Sequence, residues 1–420
     1  MEAFVILASV AATLPGLVIL LTLGRDSSVS GATPIATSSL STAFDLASAY
    51  LLVGTAVMAV FVSRSLQISL RGLCIVIIVL IPQTNDLIAK GTLSAVPALV
   101  CFVVVAVTLG LIPHSPDLRV FGAVAGGYVV ISGLLLFLPS AWMGSASYAA
   151  KGNKGIVTQS LYAGATDHSN ILGIILALAI PLLTTVKRKP TRLLLITIAA
   201  ALLLLTSSRS AIIALCISGV LTKAATSQGQ LRRPLAVLVT LLSFSVGTML
   251  PFFISNPHAF TDRGAIWIAA RQLMQGRILH GVGFGGFGTD SNFALMYNLP
   301  VAHGHNQFIT FAIIGGVALV AVWIGVAVCA LVSILKANSV GGFWYLICLL
   351  LCGLTETPLR LDTFSQSAFI SVLPLFFLAT ATVSSTSASD AGGRYSRRLR
   401  LSTTRPVRID PGLPHSNGRV

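Results

Sequence analysis

Apolar residues fall along the chain in twelve runs, at about 3–23, 43–63, 72–89, 95–113, 119–138, 169–186, 191–206, 210–222, 234–254, 306–335, 342–356 and 363–383. A helix needs about 20 such residues to cross a hydrocarbon core, and most of the runs reach or approach that length. The run at 210–222 is the weakest. The pattern predicts an all-α polytopic membrane protein with about 12 transmembrane helices, forming one membrane domain over 1–383. Two connections break the rhythm. Residues 139–168 are polar and rich in Gly and Ser, and 255–305 form the longest connection. A connection that long in a compact protein is usually functional. Within it, "DRGAIWIAARQLM" puts Ile266, Ala270, Leu273 and Met274 on one helical face, with Arg263, Arg271 and Gln275 largely elsewhere. That periodicity predicts a short amphipathic helix lying in the membrane interface. From 384 the apolar periodicity stops, and a Ser-, Arg- and Pro-rich tail to 420 reads as disordered, with Arg397, Arg398 and Arg400 suited to anionic lipid.

Charge then orients the pattern. Twelve spans put both termini on one side. If that side is the cytoplasm, the inner connections carry Arg64, Arg71, Arg119, Lys187, Arg188, Lys189, Arg192, Lys223, Arg232, Arg233 and Lys336. The outer ones carry Arg25, Lys90, Lys151, Lys154, Arg209 and Arg360, so the bias is eleven to six even before the Arg-rich tail. The positive-inside rule therefore predicts cytoplasmic termini and an extracytoplasmic 255–305. Without a span at 210–222, the tail would face outward against that rule.

Composition removes other classes. Among 420 residues only 9% are charged, and the mean hydropathy is +0.90. A soluble protein carries about a quarter charged residues. The net charge of +15 does not indicate nucleic acid, because the basic residues cluster between apolar runs or in the last 27 residues. All six cysteines lie in apolar stretches with no CxxC, and read as small buried hydrophobes. The first apolar run follows Met-Glu with no basic n-region, so it is expected to be retained rather than cleaved.

The stretch "HGVGFGGFGTD" at 280–290 contains Gly281-x-Gly283-x-x-Gly286, the spacing of a dinucleotide loop. A Rossmann fingerprint requires a strand before it, a helix after it and an acid about 20 residues on. Here an amphipathic helix precedes it and 301–311 contains no acid. The nucleotide reading fails. Neither a GxxxxGK[ST] loop nor a DxD occurs, and no His/Cys/Asp cluster has metal-ligand spacing. The glycines are instead expected to let backbone approach something bulky.

Four polar features fall on the outer side. "LLTSSRSAI" carries Arg209, whose plainest role is a boundary arginine reaching headgroups. "TDRGAIW" carries Arg263. "HGHNQFITFAIIGG" carries His303 and His305 just before a span, and "LTETPLRLD" carries Glu356, the only glutamate besides Glu2. An acid at that depth is a functional candidate by default. Together, an Arg in "SR", then Arg263 and Trp267 as Arg-x-x-x-Trp, then Gly281, Gly283, Gly285 and Phe287, then "HN" at His305–Asn306, Gly315-Gly316 and finally "TE" form an ordered set over about 200–360. This set resembles the O-antigen ligase and O-antigen polymerase superfamily. The "SSRSA" element departs slightly from the usual "SRG" or "SRA" but keeps the arginine.

The resemblance implies a C-type glycosyltransferase-like fold and a metal-independent enzyme with no cofactor. Such an enzyme moves a glycan from an undecaprenyl-diphosphate carrier to an acceptor hydroxyl at the outer face of a bacterial inner membrane. It implies Arg209 and Arg263 on the donor diphosphate, His305 as general base or acceptor-orienting group, and Glu356 orienting His305 or an arginine. Gly281, Gly283, Gly285 and Asn306 would shape the substrate pocket. His303 lies off the "HN" position and is expected to matter little. Expected partners are the lipid-linked donor, a glycan, lipid or protein acceptor, and membrane lipids. The sequence alone leaves a polytopic transporter or flippase as the alternative, with Asp45 and Asp86 inside spans as its best support. A structural scaffold would not need the Arg/Arg/His/Glu set.

Overall fold

The computed structural model describes residues 1–25, 39–63, 65–93, 95–143, 155–158, 160–287 and 303–382. Each of the twelve apolar runs is an α-helix there. They are α1 (Glu2–Leu23), α2 (Ser39–Val62), α3 (Leu70–Lys90), α4 (Val96–Leu111), α5 (Arg119–Leu134), α6 (Ser169–Leu183), α7 (Lys189–Thr206), α8 (Arg209–Ala224), α9 (Arg233–Phe253), α11 (Gln307–Ala337), α12 (Val340–Cys352) and α13 (Ala368–Thr380). The short helix of the long connection is α10 (Ala259–Leu273). Six helices (α1, α3, α5, α7, α9 and α11) are long and apolar enough to cross a membrane, and α2, α4, α6, α12 and α13 contain shorter apolar ones. The tail expected from 384 and the side chain of Asp45 lie outside the described residues.

Burial explains the short helices. Nearly every residue of α6, α12 and α13 is buried, which is the signature of a helix apolar on all sides and enclosed by others. The outer helices show the reverse. Ile213, Ile217 and Val220 of α8 and Leu238, Leu241 and Leu242 of α9 are exposed, apolar faces that hydrocarbon would tolerate better than water.

The helices alternate in direction, and the connections meet in two sets. At one end Arg25, after α1, donates to the carbonyls of Ser140, Gly164, Thr166 and Asp167 after α5. There Ser207, after α7, accepts from the amide of Ile156. At the other end the amide of Gln67 donates to Leu111, and that of Leu231 to the side chain of Asn338. The amide of Thr382 donates to the carbonyl of His114 at this same end. Two short antiparallel ribbons serve connections: β1 (Trp142–Met143) pairs with β2 (Leu161–Tyr162), and β3 (Thr226–Ser227) with β4 (Gln230–Leu231) between α8 and α9.

Two features differ from expectation. The face of α10 bearing Ile266, Ala270 and Leu273 is buried as predicted, but protein covers it. Arg271 donates to the carbonyls of Pro251 and Ile254, tying α10 to the end of α9. Cysteine burial also splits: Cys101, Cys348 and Cys352 are buried, Cys74 and Cys329 are partly so, and Cys216 is exposed.

Candidate active site

The site begins where α11 begins. Asn306 caps this helix, accepting from the amide of Ile309 at 3.0 Å, as Asn does well at an N-cap. Its amide nitrogen donates to the carbonyls of Gly247 at 3.0 Å and Leu354 at 2.9 Å. Gln307 exchanges two hydrogen bonds with the backbone of Leu359, and its amide donates to Gly353 at 2.8 Å. The "HNQ" element therefore staples the 353–360 connection to the head of α11. That staple brings Glu356 to His305. Asn306 is fully buried, and its hydrogen bonds hold the site together.

A second tie brings Arg263. Trp267 is fully buried and donates its indole N–H to the carbonyl of Gly304 at 3.0 Å. Arg263 lies one helical turn earlier, on the same face of α10. Its Nη2 donates to Glu356 Oε1 at 2.5 Å. The same oxygen accepts from Asn170 Nδ2 on α6 at 3.1 Å. The other oxygen, Oε2, lies 3.4 Å from His305 Nδ1. This distance suits an ion pair, but the nitrogen is buried and makes no hydrogen bond among the described residues. The side chain of Glu356 is 5% exposed, that of Arg263 16% and that of His305 30%. The cluster is thus enclosed except at the histidine.

Burial alone would raise the Glu356 carboxyl. His305 and the Arg263 guanidinium outweigh burial and hold it below the ordinary carboxylate range. His303, set aside in the sequence, joins the cluster. Its ring centroid is 4.3 Å from that of His305, and its Nδ1 is 3.2 Å from the His305 amide and 3.3 Å from Thr357 Oγ1. Burial, then the charges of His305, Arg360 and Arg263, hold this imidazole well below its usual range, so it stays neutral. Beside it Arg360 is paired with Asp362 through Nε and Nη2. One ring nitrogen of each histidine and a Glu356 oxygen lie within 4.8 Å of one another, a donor set that sequence spacing did not reveal.

Backbone strain is concentrated here. His305 has φ 46°, and Phe260, Thr261 and Asp262, immediately before Arg263, have φ 52°, 61° and 67°. Non-glycine residues held in this region cost on the order of 1 kcal/mol or more each and gather at functional sites.

Arg209 stands apart. It opens α8 with an exposed side chain that makes no hydrogen bond or ion pair among the described residues. Its neighbour Ser208 packs on Gly173, three residues beyond Asn170, so Arg209 flanks the wall that touches Glu356. The glycine stretch makes close backbone contacts with α11. The amides of Val282 and Gly283 donate to the carbonyls of Ile313 and Ile314, and the amide of Val317 to that of Ile278. This turn plugs a break in α11 at Gly316, where φ is 64° and ψ −162°. A Cβ on Gly281 would come within 2.4 Å of the Ile313 carbonyl, and one on Gly283 within 2.2 Å of Asp86 Oδ1. The glycines admit backbone to backbone, about 12 Å along α11 from His305 at 1.5 Å per residue.

Asn170, Thr357 and Arg360 were missed by sequence reasoning as members of the cluster, and His303 was named but expected to matter little. Signals existed for His303, in "HGHNQF", and for Arg360, as the cation of "LTETPLRLD"; nothing in "DHSN" marks Asn170. In comparisons with known proteins, no family model and no curated protein matches the chain.

Proposed function

We propose that the chain is a membrane glycosyltransferase that moves a glycan or repeat unit from an undecaprenyl-diphosphate carrier to an acceptor hydroxyl. The observation that carries this reading is the enclosed Arg263–Glu356–His305 cluster, with a carboxylate held ionised against a histidine and a guanidinium. Glu356 orients His305 through Nδ1, leaving Nε2 to take the proton of the acceptor hydroxyl. The acceptor oxygen attacks the anomeric carbon as its bond to the diphosphate oxygen breaks, and undecaprenyl diphosphate leaves. Arg263 and Arg209 stabilise the departing charge, a role guanidiniums fill through paired donors without a metal. The reading takes all twelve helices as spans of a bacterial inner membrane, with both termini cytoplasmic and the cluster outside. Ligase and polymerase share this chemistry and differ in acceptor.

The test is a lipid-linked glycan binding assay run beside a transfer assay. Arg263→Lys keeps charge but loses the planar fork, and transfer falls substantially. Arg209→Ala weakens donor binding and turnover together. His305→Ala leaves donor binding intact while transfer falls by about two to four orders of magnitude. Unchanged binding and transfer in all three would refute the reading.

One observation favours a transporter or flippase as the second reading. Gln83 and Asp86 are buried in α3, and both amide atoms of Gln83 and Oδ2 of Asp86 lack hydrogen-bond partners among the described residues. Buried polar groups inside a span often mark a substrate path.

A further inference from the structure

We infer that His303, His305 and Glu356 form a binding site for a borderline divalent ion, with Zn²⁺ the best fit, and that the ion occupies it in place of the working base. The donor set is two imidazoles and one carboxylate, which suits zinc rather than magnesium. The geometry agrees. His305 Nδ1 and Glu356 Oε2 are 3.4 Å apart and out of line for a hydrogen bond. Two ligands each about 2.0–2.1 Å from a tetrahedral ion stand about 3.3–3.4 Å from each other, so this separation is one edge of such a site. Glu356 offers the free oxygen, because Oε1 is taken by Arg263 and Asn170. Those two on Glu356, and Thr357 Oγ1 placed to accept from Nδ1 of His303, supply the outer support that fixes ligand orientation in metal sites. Ligation through Nε2 of His303 requires Nδ1 to give up the bond it accepts from the His305 amide. Three protein ligands leave a fourth position for water, and the 30% exposure of the His305 side chain leaves an entry path.

The nearby cations do not forbid the ion. Arg263 is paired with Glu356 and Arg360 with Asp362, so the cluster is balanced rather than positive. Sharing Glu356 with Arg263 weakens the site, making the ion exchangeable and removable by a chelator. The consequence for activity rests on the transferase reading. An ion on Nδ1 leaves the ring proton on Nε2, the nitrogen that must accept the proton of the acceptor hydroxyl. Zinc is then a reversible inhibitor and not a cofactor.

The test uses the full chain in nanodiscs and reads metal directly. Titrated with Co²⁺, the wild type binds one ion per chain with the visible absorption of a four-coordinate site, and Zn²⁺ displaces it. His303→Gln and Glu356→Gln lose this signal, while His280→Gln, an exposed histidine off the site, keeps it. X-ray absorption of the zinc-loaded wild type covers variants that fail to fold: it shows nitrogen and oxygen neighbours with outer scattering from two imidazoles. Absence of bound Co²⁺, equal binding in all variants, or a sulfur neighbour would each overturn the inference. Binding and turnover are separate readouts. A chain that binds one Co²⁺ but transfers nothing after the ion is removed by chelator supports the site and refutes the transferase reading, and one that transfers in chelator but never binds Co²⁺ does the reverse.

Discussion

At Glu356, three polar partners converge on a side chain that is 5% exposed, and each makes a distinct demand. Glu356→Gln leaves the Arg263 charge without its counter-ion. Stability should fall by roughly 3 kcal/mol, the low end for breaking a buried pair because Arg263 keeps some solvent. The pH dependence follows from the lowered carboxyl. Above the ordinary value of 4.5 its stabilisation is complete, and it disappears only as pH falls further, through the depressed value of the folded state. Melting curves of wild type and Glu356→Gln should therefore converge below pH 4.5 and stay apart above it. A gap that closes near neutrality would contradict the assignment. His303→Ala should also lower transfer by more than tenfold, since its ring packs on that of His305; transfer within twofold of wild type would make it a bystander. Arg263, His305 and Glu356 were legible as residue types at membrane boundaries. Asn170 and Thr357 were not, because a single amide or hydroxyl near a span carries no pattern until the fold sets it beside a carboxylate.

The elements were legible for a different reason. Twelve apolar runs became twelve helices because each long run can satisfy its backbone only within itself when lipid or protein surrounds it. The glycine turn was not legible. Its spacing fits several uses, and only packing shows that Gly281 and Gly316 let the 278–283 segment enter the break in α11. Gly316→Ala puts a Cβ 2.3 Å from the Leu279 carbonyl at φ 64°, and should lower stability by at least about 2 kcal/mol, read as a reduced Tm in detergent. Gly325→Ala, in the same helix with open space around it, should not lower it. Equal Tm values for the two variants would remove the plug. The "HNQF" element makes a similar demand. Asn306→Asp keeps the cap on Ile309 but turns two donors into acceptors facing the carbonyls of Gly247 and Leu354. It should destabilise and separate Glu356 from His305, with transfer lost in proportion.

Across the whole molecule, the alternation of helices gathers one set of connections around the Arg263–Glu356–His305 cluster and the other around His114 and Asn338. The proposed function takes the second set, richer in lysine and arginine, as the cytoplasmic one. Reporters inserted in the Thr226–Leu231 hairpin should read cytoplasm, and those at Gly276 the outer side; the opposite result would put the cluster in the wrong compartment for a lipid-linked donor. The proposed orientation rests on charge bias, whereas the convergence of three separate connections on one carboxylate needed the fold. A transferase and a flippase would share all of this architecture and part only in what they do to the donor. The decisive measurement is therefore made on purified chain in liposomes supplied with an undecaprenyl-diphosphate-linked glycan and an acceptor, in excess chelator. Release of free undecaprenyl diphosphate, matched one for one by glycan on the acceptor, is the predicted result. Movement of the intact lipid-linked glycan between leaflets, with its diphosphate bond unbroken, would contradict the transferase and establish the transporter.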